Sequence, residues 1–221
     1  MSGPTRAAPD ARLHGLHVLA DDDPRWGADP VVQARAACAG GASVVQLRAK
    51  SATDRQALAW ATRLRELTRA AGALLLVNDR FDLALAAEAD GVHLGQEDLP
   101  PERIPAPLRR RLIVGRSTHT LAQARAARAE PVDYVAFGPV FGTSSKDSPH
   151  AARGLEMLRE AAAAAAPLPL VAIGGIDAAN AASAIAAGAA AVAVISAVAA
   201  AVDPVAAARA LARAAGGAGG L

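Results

Sequence analysis

The segment LLLVNDRFDLALAAEADGVHLGQEDLP, residues 74–100, contains the pattern that decides the fold. An apolar run at 74–77 ends in the polar pair at 78–79. A helix-like segment follows, and a second apolar run at 91–94 leads into the polar residues 96–98. Continuous apolar runs of this length, without alternation, are typical of parallel strands buried on both faces. The segment therefore predicts a strand–helix–strand unit whose strands both end in polar side chains.

The same pattern recurs along the whole chain. Strict alternation of strands and helices implies parallel crossover connections, and eight such units in about 200 residues match a single-domain α/β fold, the (β/α)₈ TIM barrel. A doubly wound open sheet is the alternative. The predicted strands are 16–20, 44–47, 74–77, 91–94, 112–114, 134–137, 170–173 and 191–195, and the predicted helices are 30–39, 53–71, 81–88, roughly 101–110, 121–129, 154–165, 178–187 and 204–215.

A faint internal repeat supports the barrel. The segments GGASVVQLR, EADGVHLGQ, EPVDYVAFG and AGAAAVAVIS lead into the second, fourth, sixth and eighth predicted strands. Each combines small residues after a helix with a buried strand, which suggests a quarter-barrel unit. We expect residues 13–215 to form the barrel, residues 1–12 to be a flexible N-terminus, and residues 216–221 to be a flexible Gly-rich tail.

Composition narrows the function classes. The 221 residues are 52% hydrophobic but only 3% aromatic, so Val, Leu, Ile and Ala must build the core. The 23 basic and 21 acidic residues are interspersed, whereas a nucleic-acid binder usually carries a concentrated basic stripe. We interpret the dense basic run at 109–111 as an exposed helix end and expect no nucleic-acid partner.

Neither a disulfide nor a membrane segment is expected. Cys38 is the one cysteine, so no internal disulfide can form, and it is interpreted as a small buried hydrophobic residue. The first 15 residues lack the apolar core of a secretion signal. No apolar run approaches the ~18 residues of a spanning helix. A cytoplasmic location is the expectation.

The ends of the predicted strands carry the residues suited to chemistry, where the active sites of TIM barrels lie. Arg48, Lys50 and Lys146 are cations suited to a phosphorylated substrate. Asp79 and Asp98 follow adjacent strands, and hard carboxylate oxygens of this type bind Mg²⁺ together with substrate phosphates. The alternative for both aspartates is ordinary capping of the helix that follows.

A second anion site is indicated after the last two strands. Gly174 and Gly175 would let backbone N–H groups approach a phosphate, with Ile195 and Ser196 nearby. The alternative is a tight Gly-Gly turn. The five histidines have no zinc-type spacing. His93 is expected to pack inside the barrel, and His119 either transfers protons or makes a structural hydrogen bond, the second being favoured.

Together these motifs resemble the thiamine phosphate synthase family, over about residues 13–210. The segments that carry the resemblance are VVQLRAK at 44–50, VNDRFDLALAAEADGVHLGQEDLP at 77–100, VGRSTH at 114–119, VDYVAFGPVFGTSSK at 132–146, VAIGGI at 171–176 and AVAVIS at 191–196. The resemblance implies a (β/α)₈ barrel. It also implies a reaction in which 4-amino-5-hydroxymethyl-2-methylpyrimidine diphosphate and hydroxyethylthiazole phosphate give thiamine phosphate and pyrophosphate.

The resemblance also implies roles for individual residues. Mg²⁺ would be held by Asp79 and Asp98. The reaction would be a dissociative substitution, with Arg48, Lys146 and Ser117 as the catalytic residues. The pyrimidine diphosphate would be held by Gln46, Arg48, Lys50, Asn78, Ser117 and Lys146; the thiazole phosphate would be held by Thr143, Ser145, Gly174, Ile195 and Ser196; the predicted substrate-binding set also includes Leu47, Ala49 and Ser144.

Some features depart from that family, and the segments SPHAARGLEML at 148–158 and LHVLADDD at 16–23 resemble a sister family, the thiazole tautomerases. The sequence GTSSK at 142–146 and GRS at 115–117 are unusual for the synthases, and the tautomerases need no metal. The intact metal and pyrophosphate residues favour the synthase, because a tautomerase has no physical need for them. A non-catalytic binder of phosphorylated ligands is a third hypothesis. Glu97 is expected to face solvent or lie outside the first ring of contacts.

Overall fold

The chain folds into a closed barrel of eight parallel strands, in a computed structural model that describes residues 10–142 and 151–216. Strand order follows chain order, and the first strand pairs with the last. This confirms the predicted (β/α)₈ TIM barrel and excludes the open sheet. The strands are β1 (Gly15–Asp21), β2 (Val44–Arg48), β3 (Leu74–Asn78), β4 (Gly91–Leu94), β5 (Ile113–Thr118), β6 (Tyr134–Phe137), β7 (Leu170–Ile173) and β8 (Ala191–Val194).

Helices surround the barrel on its outer face. In the described ranges they are α1 (Pro30–Ala39), α2 (Asp54–Ala71), α3 (Phe81–Ala86), α4 (Ala106–Arg109), α5 (Leu121–Ala126), α6 (Gly154–Ala165), α7 (Ala181–Ala186), α8 (Ser196–Ala199) and α9 (Pro204–Ala215). Short 3₁₀ turns occur at Ala11–Leu13, Pro24–Trp26, Pro101–Arg103 and Ala127–Ala129.

The clearest differences between the prediction and the structure concern two predicted elements and one element that was not predicted. The helix expected over 101–110 is instead a 3₁₀ turn and the short α4, because Pro105 cannot continue a helical hydrogen-bond ladder. The strand expected to end at 114 continues to Thr118. Finally, α8 follows β8 directly and was not predicted from the sequence.

Side chains alternate between two apolar layers. Residues such as Leu19, Val44 and Leu76 point into the barrel, where they form a compact interior cluster. Their strand neighbours, such as Val18 and Val45, point outward into a larger cluster with the helices. Alternation of this kind follows from the two-residue period of a strand. A buried run in a barrel strand therefore contributes side chains both to the barrel interior and to the layer between strands and helices.

The internal repeat has a structural basis. The residue immediately before each even-numbered strand donates its backbone N–H to a carbonyl oxygen on the preceding strand, at 2.7–2.9 Å. This contact aligns each even strand with its odd neighbour. The donor and acceptor pairs are Ser43 with Leu16, Asp90 with Leu75, Asp133 with Val114, and Ala190 with Leu170.

His17 is a buried titratable group inside the barrel. Its side chain is 1% exposed, and its Nε2 atom lies 2.9 Å from the carbonyl oxygen of Leu13. Loss of hydration disfavours the charged imidazolium, so burial lowers the pKa of His17 from 6.5 to about 4. The imidazole is therefore neutral in the folded protein at physiological pH.

We predict that His17 makes the protein less stable as the pH falls from 6.5 to about 4. In this window the unfolded imidazole binds a proton and the folded one does not, so stability is lost on acidification, on the order of 3 kcal/mol. In His17→Gln, an amide can still donate to Leu13 but cannot protonate. Urea unfolding of both proteins between pH 7 and 4 should show a steeper loss for the wild type. Parallel curves would contradict the prediction.

Candidate active site

A cavity opens at the C-terminal ends of the strands and reaches into the barrel. Its volume is about 110 Å³, and most of its wall is apolar, from residues such as Leu19, Val171 and Ile173. A pocket with apolar walls and a few convergent polar groups is the usual form of a small-molecule site. The polar side chains on its wall are His17, Gln46, His93, Ser117, His119, Tyr134 and Ser196.

Three of these polar side chains form a hydrogen-bonded chain across the barrel interior. His93 Nδ1 lies 2.8 Å from the Tyr134 hydroxyl, and His93 Nε2 lies 2.9 Å from Ser117 Oγ. Burial raises the pKa of Tyr134, so its hydroxyl keeps its proton. We assign the tyrosine as donor to Nδ1 and the Nε2–H as donor to Ser117, which leaves the serine hydrogen available to a ligand. His93 lies in the interior, as expected from the sequence.

Gly115 makes room for Tyr134. A β-carbon added at residue 115 would lie 2.2 Å from the Cζ atom of the tyrosine ring, a distance that real atoms do not tolerate. The next residue, Arg116, points outward, where Nη1 donates to the carbonyl oxygen of Gly95 and Nε lies 3.4 Å from Glu130. The unusual sequence GRS thus places a glycine under the ring and an arginine outside the barrel. It also explains why β5 is longer than predicted, since neither residue breaks the strand.

Two carboxylates lie together at the rim after β3 and β4. Asp79 has a left-handed backbone, with φ 66°, and its N–H donates to the carbonyl oxygen of His93 at 2.8 Å. Burial raises the pKa of the Asp79 carboxyl, and the neighbouring carboxylate of Asp98 raises it further, whereas Lys50 lowers it. Lys50 Nζ contacts Asp79 Oδ2 directly. The rim therefore holds two adjacent carboxylates and one ammonium group.

Neither aspartate caps a helix. The residue that precedes α3 is Arg80, and that helix has no side-chain cap. Asp98 accepts a hydrogen bond from the backbone N–H of Gly95 at 2.6 Å, which closes the loop after β4, and the following 3₁₀ turn also lacks a side-chain cap. The capping alternative is therefore wrong for both residues.

Acidic residues at the end of β1 and directly after it hold the Arg48 side chain and the Lys50 backbone at the rim. Arg48 Nη1 lies 2.7 Å from Asp21 Oδ2, at the end of β1. The Lys50 backbone N–H donates to Asp22 Oδ1 at 2.9 Å, and Asp22 Oδ2 accepts two further N–H groups of the same loop. Sequence reasoning missed the role of the acidic run at 21–23, although its position at a strand end was the available signal.

The glycine pair after β7 forms a turn that only glycine allows. Gly174 and Gly175 have φ 99° and 64°, and a β-carbon at Gly175 would lie 2.3 Å from the carbonyl oxygen of Gly142. Both residues line the cavity together with Ile195 and Ser196. Ser196 is the first residue of the short helix α8, so the start of this helix borders the same cavity as the glycine turn. The tight-turn and anion-site interpretations are thus compatible.

The other predicted site residues occupy different positions. Gln46 lines the cavity and is 5% exposed, whereas the side chain of Leu47 points outward into the helix layer, so only its backbone can face the rim. Ala49 also packs against that outer layer. Asn78 ends β3 next to Asp79. The predicted residues Thr143, Ser144, Ser145 and Lys146 lie outside the described residues.

Three further expectations concern single side chains. His119 lines the cavity, with Nδ1 2.8 Å from the carbonyl oxygen of Gly138, so it makes the structural hydrogen bond that was favoured. Glu97 is exposed, as expected. Cys38 is half-buried rather than fully buried, and it packs against the outer core.

No three histidine, cysteine or carboxylate side chains of the described ranges cluster as a metal site. A metal at the rim would therefore have only the two aspartates as protein carboxylate ligands within those ranges. No helix in the same ranges has the length and apolar character needed to cross a bilayer.

Comparison with known proteins identifies the family. The family model described as thiamine monophosphate synthase matches residues 16–198. The chain belongs to the thiamine monophosphate synthase family. This confirms the resemblance drawn from the motifs, and members of this family are transferases, so the chain is an enzyme.

Individual members of the thiamine monophosphate synthase family are similar over most of the chain. A thiamine-phosphate synthase of Anaeromyxobacter dehalogenans is 54% identical over 167 residues, covering 75% of this chain and 72% of that protein. One from Methanoculleus marisnigri is 50% identical over 169 residues, covering 75% and 78%. The solved structure of a thiamine phosphate pyrophosphorylase from Pyrococcus furiosus is 37% identical with a TM-score of 0.84, covering 95% of this chain and 99% of that one.

We predict that Gly115→Ala destabilises the protein through Tyr134. The methyl group overlaps the ring, and overpacking of this kind costs about 1–3 kcal/mol. The free energy of unfolding in urea should fall by that amount in the wild-type background. It should fall much less in a Tyr134→Ala background, where the ring is gone. An equal loss in both backgrounds would show that the contact with Tyr134 is not the cause.

Proposed function

We propose that this chain is a Mg²⁺-dependent thiamine phosphate synthase. It couples 4-amino-5-hydroxymethyl-2-methylpyrimidine diphosphate with hydroxyethylthiazole phosphate and releases pyrophosphate. The observation that carries the proposal is that paired carboxylates and cations lie at the same end of the barrel as an apolar cavity. These residues are Asp79, Asp98, Arg48 and Lys50.

The carboxylate pair has the chemistry of a Mg²⁺ site. Mg²⁺ keeps several waters and is usually held by one or two carboxylates together with substrate phosphates. Burial raises the pKa of Asp79 and the neighbouring Asp98 carboxylate raises it further, so ionisation of Asp79 is disfavoured, and a divalent cation would offset that cost. When bound, Mg²⁺ supplies positive charge to the departing pyrophosphate.

The pyrimidine ring fits the interior of the cavity. Its apolar walls suit an aromatic ring, and Gln46 and Ser117 supply polar groups for ring substituents. Ser117 receives a hydrogen bond from His93, so its own hydrogen can be donated to a ring nitrogen. The diphosphate would then extend to the rim, beside Arg48 and Lys50.

The chemistry is a substitution at the methylene carbon of the pyrimidine. The C–O bond breaks, and its electron pair leaves with pyrophosphate while the amino-pyrimidine stabilises the cation. The lone pair of the thiazole nitrogen then forms the new C–N bond. Arg48, Lys50 and the predicted Lys146 neutralise the leaving group, so the protein acts by positioning and electrostatics and needs no nucleophile of its own.

The thiazole phosphate would bind on the opposite wall. The Gly174–Gly175 turn brings backbone close to the cavity, and Ser196 offers a hydroxyl at the start of α8. The predicted partners Thr143 and Ser145 complete this proposed subsite. Two phosphorylated substrates would thereby meet across one cavity with their anionic groups apart.

We predict that Asp98→Asn abolishes most of the Mg²⁺-dependent activity. The amide can still accept the hydrogen bond from Gly95, so the loop stays closed, but the metal loses a charged ligand. We expect kcat/KM to fall by about 100-fold, equivalent to about 2.7 kcal/mol. A coupled assay of pyrophosphate release would measure this. Glu97→Gln is the matched control, because it removes a neighbouring charge that is exposed, and it should keep wild-type activity.

Removal of the metal gives a second readout of the same proposal. EDTA should abolish product formation by the wild type, and added Mg²⁺ should restore it. Unchanged turnover in EDTA, or equal activity of Asp98→Asn and Glu97→Gln, would contradict a role for the carboxylate pair.

The position of His119 on the cavity wall supports one alternative, a metal-independent thiazole tautomerase. This alternative predicts conversion of thiazole carboxylate phosphate without the pyrimidine substrate and without metal. It also predicts that His119→Ala removes this conversion. We expect instead that this variant keeps pyrophosphate release within about tenfold, because a structural hydrogen bond contributes only about 1 kcal/mol. Binding of both ligands with no product at all would favour a non-catalytic binder.

A further inference from the structure

We propose that Asp21 is a positioning residue for Arg48. Its buried carboxylate holds one nitrogen of the guanidinium, so that the remaining N–H groups are presented to the diphosphate at the rim. This inference rests on the proposed function, because it assigns the use of Arg48 in the same site.

The two side chains meet at neighbouring strand ends. Asp21 and Arg48 are paired in the register of β1 and β2. Asp21 Oδ2 lies 2.7 Å from Arg48 Nη1, a distance typical of a charge-assisted hydrogen bond. The Asp21 side chain is 0% exposed, whereas the Arg48 side chain is 19% exposed. One partner is thus anchored inside the protein, and the other reaches the rim.

Hydrogen bonds fix both the carboxylate and the backbone of Asp21. Its Oδ1 accepts the backbone N–H of Asp23 at 3.0 Å, so both carboxylate oxygens are used. Gln33 on α1 clamps the backbone: Oε1 accepts the Asp21 N–H at 3.0 Å, and Nε2 donates to the Asp21 carbonyl oxygen at 2.8 Å. Gln33 is 3% exposed, and its Nε2 also donates to Ala28. The carboxylate therefore has a fixed orientation.

A fixed carboxylate changes what the arginine can do. An arginine side chain has many rotamers, and ordering it on substrate binding costs free energy. The guanidinium has five N–H donors in a rigid fork, and Asp21 engages Nη1, so donors remain for a second anion. Preorganised charge of this kind lowers the barrier, because it needs no reorganisation during reaction.

A similar ion pair at the other end of the barrel provides a matched control. Arg65 Nη1 lies 2.7 Å from Asp90 Oδ2, with side chains 20% and 18% exposed. The Asp90 carboxylate also accepts a backbone N–H, from Leu75 at 2.8 Å. Asp90 precedes β4, at the N-terminal end of the strands and away from the proposed site. The pairs share chemistry, distance and arginine exposure, and they differ in location and in the deeper burial of the Asp21 carboxylate.

The test compares Asp21→Asn with Asp90→Asn in the full-length protein. Asparagine has one side-chain oxygen, so each variant keeps one acceptor and loses the charge. We expect Asp21→Asn to lower kcat by 10- to 100-fold, because a displacement of a positioning group by about 1 Å can lower the rate by about 100-fold. Its KM for the thiazole phosphate should stay within twofold. Asp90→Asn should lose stability in urea but keep kcat and both KM values.

A second background separates positioning from a general effect of the mutation. In Arg48→Lys the compact ammonium has no fork to orient, so adding Asp21→Asn should change kcat less than twofold. Wild-type kcat in folded Asp21→Asn, or an equal loss of kcat in both backgrounds, would overturn the proposal while the wild-type activity still supports the synthase. A wild type that forms no thiamine phosphate would overturn both.

Discussion

The closure of β1 onto β8 is the constraint on which the site depends. A closed ring of parallel strands leaves no free edge, and it brings every carboxyl-terminal strand end to one rim. Arg48, Asp79 and Asp98 come from different parts of the chain and lie at this rim because each ends or follows a strand of the same parallel sheet. The left-handed backbone of Asp79 adds a local detail, because it ends β3 while its N–H still bonds to β4. Asp79 thus remains tied to its neighbour and close to the Asp98 carboxylate.

The barrel interior combines a core with a polar chain. Apolar residues such as Leu19 and Val44 fill one part, while Tyr134, His93 and Ser117 connect by hydrogen bonds across the other. Buried polar groups cost free energy unless they are paired, and here each finds a partner. A core built for stability alone would use apolar residues at these positions. The polar chain therefore suits the polar pyrimidine ring that we propose for this cavity.

The elements that the sequence predicted well were those with a clear apolar pattern. The bounds of β4, β6 and β7, and of α1, α6 and α9, agree with the expectation, because caps or small residues bracket a continuous run. The end of β5 was misjudged because Gly115 and Arg116 break the apolar pattern without breaking the strand. The short α8 was missed because four residues are too few to show helical periodicity.

In the site, too, the sequence predicted some features and not others. Residue types and their positions after strands were enough to predict that Arg48, Lys50, Asp79 and Asp98 lie at one end of the barrel, and their binding of a diphosphate and Mg²⁺ stays a proposal. The direction in which each side chain points could not be predicted from the sequence in the same way. Leu47 belongs to a site segment, yet its side chain points to the helices, because each strand sends alternate residues to opposite faces.

By itself the sequence determined the number and order of the strand–helix units, because apolar periodicity and helix caps are local properties of the chain. It also determined which charged residues follow the strands. Only the tertiary structure decided which of these charges touch. The contacts of Asp21 with Arg48 and of Lys50 with Asp79 join residues 27 and 29 positions apart, and they depend on strand register and backbone direction. Such distances are set by the pairing and register of neighbouring parallel strands, and no local pattern encodes them.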